Sequence, residues 1–284
     1  MRMKRCWRGV LCVSTLGTIA LIRLAGSAAP ESFRFELLGD RTGEVRPGVF
    51  EQALREAAAQ KPAFLLGVGD TIQGLNDAAA ETEWQAVERL LAPYKRFPLY
   101  LAPGNHDIWS ARSEALYQKH TKHPPHFSFD YGAAHFTVLA NSRSDDLSAA
   151  EMKFLEQDLQ ANAAQPVKFI LSHRPSWLVN AAFGNAQFPL HQLARKFGVR
   201  YIIAGHVHQM LHIDLDGITY LSMPSAGGHL RASEKYEDGW FFAHTLVEVR
   251  GADVSFQIRE LPAPHGKARV TTPKDWGILG LVNK

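Results

Sequence analysis

The sequence predicts an α/β fold whose functional groups gather at the carboxyl ends of its strands, and three observations carry this. Apolar runs of strand length alternate with segments whose apolar residues recur at helical spacing. Five of those runs pass without a spacer into Asp40, into Asp70, into Asn105 with His106, into His173, and into His206 with His208. Of the 284 residues 46% are hydrophobic, a fraction that supports a sizeable core. In an open α/β sheet, ligands bind at the carboxyl ends of the strands. The five polar endings are therefore expected to converge on one crevice.

The chain begins with a different pattern. Arg2, Lys4, Arg5 and Arg8 precede an apolar stretch over 10–22, which Arg23 and the small residues Gly26, Ser27, Ala28 and Ala29 follow. A basic segment, a short apolar segment and small residues make a secretory signal peptide, assigned to residues 1–28. The apolar stretch falls short of the roughly 20 residues that span a bilayer, so no permanent membrane span is expected. The protein is expected to be exported, to a periplasm or the extracellular space, with an uncleaved leader acting as a membrane tether as the alternative. Cys6 and Cys12 both lie in this leader. The remainder thus has neither thiolate metal ligands nor a cysteine nucleophile. Without the five basic residues of the leader the formal charge falls from +3 to −2, which gives no electrostatic footprint for nucleic acid.

The main domain is read as 29–261. Residues 33–38 form the first strand, ending in Gly39-Asp40-Arg41-Thr42-Gly43, and Phe50, Ala53, Leu54 and Ala57 then repeat with helical spacing. A second strand over 63–68 leads into Gly69-Asp70-Thr71-Ile72-Gln73, and Trp84, Val87 and Leu91 mark a helix within 81–94. Leu99 opens the third strand, which turns through Pro103-Gly104 into Asn105-His106-Asp107. A hairpin is expected over 127–139, and Ser148 with Glu151 reads as a capping box ahead of a helix. A buried strand over 167–171 ends in Ser172-His173-Arg174, and a helix closed by Gly198 precedes a strand over 201–204 that runs into Gly205-His206-Val207-His208. Asp216-Gly217 marks a two-residue hairpin turn, and 241–260 forms a further hairpin. Residues 262–284 are read as a C-terminal tail.

The residue types suit metal chemistry. An asparagine oxygen is a hard ligand, an imidazole moves protons near neutral pH or ligates through a neutral nitrogen, and a carboxylate can be shared between cations. Asp107, beside His106, is read as the group that orients its imidazole. Two readings stand for Arg174 and for Arg41: a clamp on a substrate oxyanion, or a structural ion pair. His120, His123 and His126 are read as an exposed substrate-side loop rather than an accessory metal site, because Pro124-Pro125 blocks a helix and no carboxylate is near in sequence. His229, after the small-residue turn 225–228, reads as a surface-loop residue, with the edge of the pocket as the alternative, and Trp109 and Trp177 as either ring-stacking or loop-packing groups.

In this order, Gly39-Asp40, Gly69-Asp70, Gly104-Asn105-His106-Asp107, Ser172-His173 and Gly205-His206-Val207-His208 resemble the calcineurin-like metallophosphoesterase superfamily, which includes purple acid phosphatases and phosphodiesterases. The resemblance covers about residues 33–261. It implies a four-layer α/β/β/α sandwich of two mixed sheets and two divalent or trivalent ions, manganese, iron or zinc. Asp70 would bridge them, with Asn105, His173 and His206 on one ion and Asp40 and His208 on the other. A hydroxide between the ions would attack a phosphate mono- or diester, His106 would protonate the leaving oxygen, and the partner would be a small phosphate ester. A metal- or phosphate-binding protein without turnover is the alternative. The family often has a histidine at the position of Thr42; here Gln73 either completes that ion's shell or lines the pocket.

Overall fold

The computed structural model describes residues 32–277. The signal-peptide reading of 1–28, with Cys6 and Cys12, lies outside these residues, as does the end of the tail. Among the described residues no helix is long and apolar enough to cross a membrane.

Two six-stranded mixed sheets pack face to face. In the first, β1 (Ser32–Leu38), β2 (Leu65–Gly67) and β3 (Leu99–Leu101) run parallel at one side, and β10 (Ala243–Arg250), β11 (Asp253–Glu260) and β12 (Val270–Thr271) continue antiparallel from β1. The second sheet has the order β4 (Phe127–Tyr131), β5 (Ala134–Val138), β6 (Val167–Leu171), β7 (Tyr201–Ala204), β9 (Ile218–Ser222) and β8 (Leu211–Leu215). Strands β5, β6, β7 and β9 are parallel.

Alternation sets the layers. Phe33, Phe35 and Leu37 of β1 face the second sheet, as do Ala134, Phe136 and Val138 of β5 and Val167, Phe169 and Leu171 of β6. At the centre two aromatic pairs, Phe35 on Phe64 and Phe136 on Phe169, stack internally at 4.9 and 4.8 Å and meet edge to face. Outside the first sheet lies α1 (Val49–Ala59), whose Val49, Phe50, Ala53, Leu54 and Ala57 pack on Leu38 and Leu65. Beside it α2 (Ala80–Leu91) and α3 (Ala111–Thr121) close the third cluster around Trp84 and Tyr117. The second sheet is covered by α4 (Ala149–Ala161), α5 (Leu178–Ala182) and α6 (Pro189–Lys196). The helix–sheet–sheet–helix arrangement is the one expected.

Several local expectations change. The helix α3 has only Ser113, Leu116 and Tyr117 buried, too narrow a face to register as apolar periodicity, and it starts on a Ser110–Ser113 capping box. The histidines read as an exposed loop are partly buried instead. His120 sits in the last turn of α3, bonded through Nδ1 to Glu88 at 2.8 Å and stacked on Trp84. His123 stacks on Phe127 at 4.4 Å, and His126 bonds Glu151 at 2.7 Å. The carboxylate partners of His120 and His126 come from α2 and α4, which sequence proximity does not reveal. For the same reason the Ser148 cap is one-sided: Ser148 Oγ accepts from Glu151 N–H, while the Glu151 carboxylate is held by His126 and by the Ala140 N–H. Within the segment set apart as a tail, β12 pairs with β11 and Trp276 is buried.

Candidate metal centre

The site forms where β1, β2, β3, β6 and β7 end. Tight loops there press polar side chains against one another, and the backbone shows the cost. Asp70, His206 and His208 have φ of 53°, 71° and 63°, a left-handed conformation unfavourable for non-glycine residues by about 1–2 kcal/mol each. Two glycines permit the contact: a Cβ on Gly104 would collide with Asp70 Oδ1, and one on Gly205 with Asp40 Oδ1.

Six sequence-predicted groups divide as the loops bring them. Asp70, His173 and His206 form one ligand group and Asp40, Asp70 and His208 another, each with its ligand atoms within 4.8 Å of one another. Asp70 is common to both. Asn105 Oδ1 joins the first group, 3.1 Å from His173 Nε2. Asp40, Asp70, His173 and His208 are fully buried.

Backbone carbonyls fix the imidazoles. His173 Nδ1 lies 3.0 Å from Val68 O, and His208 Nδ1 lies 2.8 Å from His229 O. Each Nδ1–H donates there, which leaves Nε2 as an acceptor aimed inward, the arrangement of metal-ligating histidines. Those inward nitrogens stand 3.3 Å from Asp70 Oδ1 and from Asp40 Oδ2 respectively. With the rings neutral, acceptor faces acceptor in a buried space, which calls for a positive charge between them, a metal ion or a proton. Asp70 Oδ2 and His208 Nε2 are both buried without a hydrogen-bond partner, as atoms reserved for a metal would be. The donor set, nitrogen and oxygen throughout, fits a pair of first-row transition ions.

The electrostatics follow from this crowding. Burial raises the Asp70 pKa, but the charge and hydrogen bond of His173, with His106, outweigh it and hold the carboxyl below its usual range. Burial opposes protonation of His173, and Asp70 and then Asp40 overcome it, lifting its pKa to about 9. His206 moves the other way, to about 4, through burial, His173 and Arg174.

His106 sits where an acid is needed. Its N–H donates to Asp70 Oδ1 at 2.9 Å, its Nδ1 is 2.5 Å from Gln73 O, and its Nε2 is 4.0 Å from Asp70 Oδ2. The group that orients this ring is therefore the Gln73 carbonyl, a correction to the role read for Asp107. The fully buried Asp107 carboxylate instead accepts three backbone N–H groups, from Thr71 at 2.8 Å, Ile72 at 3.2 Å and Gly104 at 2.9 Å. Burial and the neighbouring Asp70 raise its pKa to about 6, against those three bonds.

Gln73 is corrected as well. Its Oε1 accepts from Thr42 Oγ1 at 2.5 Å and from the Glu44 N–H at 3.3 Å, so the oxygen proposed as a ligand is spent inside the loops. Arg41 turns away from the ligand groups, donating to Thr71 O and packing by Phe50 in a crevice with Leu38, Leu91 and Leu99. Its partners are thus a carbonyl and a ring, where the structural reading had an ion pair. Arg174 stays at the site: Nη1 lies 2.6 Å from Asp145 Oδ1 and 3.4 Å from His206 Nε2. Trp177 is wholly buried against Tyr220, and Trp109 packs beside Ile72 and Ile108. His229 is no free surface residue, since its carbonyl holds His208.

The residues missed are those acting through the backbone, the carbonyls of Val68, Gln73 and His229, which leave no side-chain signature. Asn141 was also missed. It holds Arg174 at both backbone groups, by Nδ2 to O at 2.8 Å and by Oδ1 from N at 3.0 Å, and its position just past the apolar 134–139 run was a readable signal.

A calcineurin-like phosphoesterase family model matches residues 44–210, more than half of the sequence. The chain belongs to the calcineurin-like phosphoesterase family. It is accordingly a hydrolase of phosphoester bonds. The match begins just after Asp40 and contains the other ligand residues. Among curated proteins, the chain is 29% identical over 199 residues to the 3′,5′-cyclic adenosine monophosphate phosphodiesterase CpdA of Escherichia coli K12, covering 66% of this chain and 69% of that protein. It is 26% identical over 212 residues to a 3′,5′-cyclic-nucleotide phosphodiesterase of Nostoc, covering 72% and 71%. Two solved structures share the fold at 16% identity. The yellow lupin purple acid phosphatase has a TM-score of 0.63, with 85% of this chain aligned to about half, 53%, of the lupin chain. GAP50, described as the anchor in the inner membrane complex of Plasmodium, has a TM-score of 0.58 over 89% and 90% of the two chains. The phosphoesterase family thus accounts for the architecture and for the clustered donors alike.

Proposed function

We propose that this phosphoesterase is a phosphodiesterase of 3′,5′-cyclic nucleotides that works with two ions sharing Asp70. The observation that carries the reading is the pair of ligand groups overlapping at Asp70, with His106 Nε2 on the same carboxylate's edge. The curated relatives support the diester and its cyclic form.

Asp40, Asp70 and His208 would hold one ion, and Asp70, Asn105, His173 and His206 the other. When bound, two such ions supply positive charge to the phosphoryl oxygens and lower the pKa of the attacking water. The chain's own part is positioning and proton delivery. His106 keeps its Nδ1–H on the Gln73 carbonyl, which aims Nε2 into the site; in its doubly protonated form the ring would give the Nε2 proton to the departing sugar oxygen. Arg174, held by Asp145 and Asn141, offers its guanidinium to a phosphate oxygen beside His206.

The test is an assay of protein loaded with manganese, zinc or iron on 3′,5′-cyclic AMP and GMP, and on the matching 5′-monophosphates. Metal-dependent opening of the cyclic diesters is expected. Turnover of the monoesters alone would overturn the diester reading. Export is also proposed, supported by the basic and apolar pattern of residues 1–28. N-terminal sequencing of the protein from cell fractions tests it, and an intact Met1 would indicate a tether instead.

A further inference from the structure

We infer that His229 supplies the ion of Asp40, Asp70 and His208 with the imidazole that Thr42 does not provide. This rests on the two-ion reading proposed above and concerns a residue assigned no role in it.

The two halves of the site are unequal. One group has four donors, Asp70, Asn105, His173 and His206; the other has three, Asp40, Asp70 and His208. First-row ions take four or more ligands. Thr42 is a poor substitute, because it offers only a neutral hydroxyl oxygen, already oriented by its donation to Gln73 Oε1, in place of an imidazole nitrogen.

His229 stands beside the poorer half in the geometry that the richer half already uses. The rings of His173 and His206, in one ligand group, are 5.0 Å apart at an interplanar angle of 76°. Those of His208 and His229 are 6.0 Å apart at 77°. His229 also shares the anchor of three of the site histidines: its Nδ1 is 2.5 Å from Gly43 O, as His173, His208 and His106 bond Val68, His229 and Gln73 carbonyls. That bond leaves Nε2 as its open lone pair. As placed, His229 belongs to neither ligand group. Its loop, however, is stitched to the loop of Asp40: Gly228 N–H donates to Asp40 O at 3.1 Å, His229 N–H donates to Gly43 O at 3.2 Å, and Gly228 bridges Val45. The ring is 29% exposed, with Glu44 4.0 Å from Nδ1, so it is free to close on an ion at its neighbour.

The experiment counts ions rather than turnover. Chelated protein is titrated with Mn²⁺ by calorimetry, with electron paramagnetic resonance reporting coupled pairs. His229→Ala keeps the backbone carbonyl that holds His208, so it removes the side chain alone. The wild type is expected to bind two coupled ions. His229→Ala should bind the second at least about 10-fold more weakly, since even outer-shell losses cost 10–100-fold in affinity, with the melting temperature lowered only by the few degrees that loss of the Gly43 bond costs. Adding Thr42→His to that variant should restore the pair. A His229→Ala protein that binds two ions with wild-type affinity overturns the inference and leaves the two-ion reading standing. A wild type that binds fewer than two overturns both.

Discussion

Asp107 Oδ1 accepts the Thr71 N–H at 2.8 Å, and this one buried contact ties the loop of the shared carboxylate to the loop of Asn105 and His106. The other oxygen of Asp107 closes its own turn through Gly104. Three donors on one carboxylate make it a rivet between the strand ends of β2 and β3, at a point where the geometry of the ligands is set.

Asp107→Asn turns one acceptor oxygen into a donor facing backbone N–H groups. Buried charged hydrogen bonds are worth about 1.5–3 kcal/mol, and an orphaned donor costs about as much again. Urea unfolding should show a loss of about 3 kcal/mol, with weaker metal binding. A variant of unchanged midpoint would mean that the tie contributes nothing.

His106→Asn should leave metal content intact and lower kcat about 10²–10⁴-fold on a cyclic nucleotide, whose alkoxide leaving group needs a proton. On a 4-nitrophenyl phosphodiester, whose leaving group needs none, the loss should be small. Equal losses on both esters would remove His106 from the acid role.

Gln73→Ala should keep the full complement of ions, because its amide oxygen is engaged by Thr42 and Glu44. The expected cost is about 1 kcal/mol of stability, the net worth of a hydrogen bond. Elemental analysis showing a lost ion would restore Gln73 as a ligand.

His135 makes a pH signature away from the site. It lies under α4 between Asp130 at 2.7 Å and Asp158 at 2.9 Å. Burial alone lowers its pKa, but the hydrogen bonds and charges of Asp158 and Asp130 raise it above the unfolded value. Stability from this cluster is therefore fully present below about pH 6.5 and fades as pH rises through the folded pKa. His135→Gln should cost more at pH 6 than at pH 9 in chemical denaturation. Equal costs would contradict the charged pairing.

How much of this was legible in the chain depends on what each residue does. The layers were readable because β1, β5 and β6 are apolar runs of strand length, and Asp40, Asp70, Asn105, His173, His206 and His208 were readable because each follows such a run directly. Helix α3 was not, since only Leu116, Tyr117 and a serine face inward. Nor was the role of Asp107, whose neighbour in sequence is His106 but whose partners are N–H groups three and some 36 residues away. The left-handed backbone at Asp70, His206 and His208 left no trace either, because aspartate and histidine reveal no φ until the loop around them is seen.

The central claim is that two ions share Asp70. Anomalous diffraction from crystals of manganese-loaded protein tests it most directly. The account predicts two peaks about 3.5–4 Å apart, on either side of the Asp70 carboxylate, both absent or reduced to one in Asp70→Asn. A single peak in the wild type, or two that do not share Asp70, would contradict it.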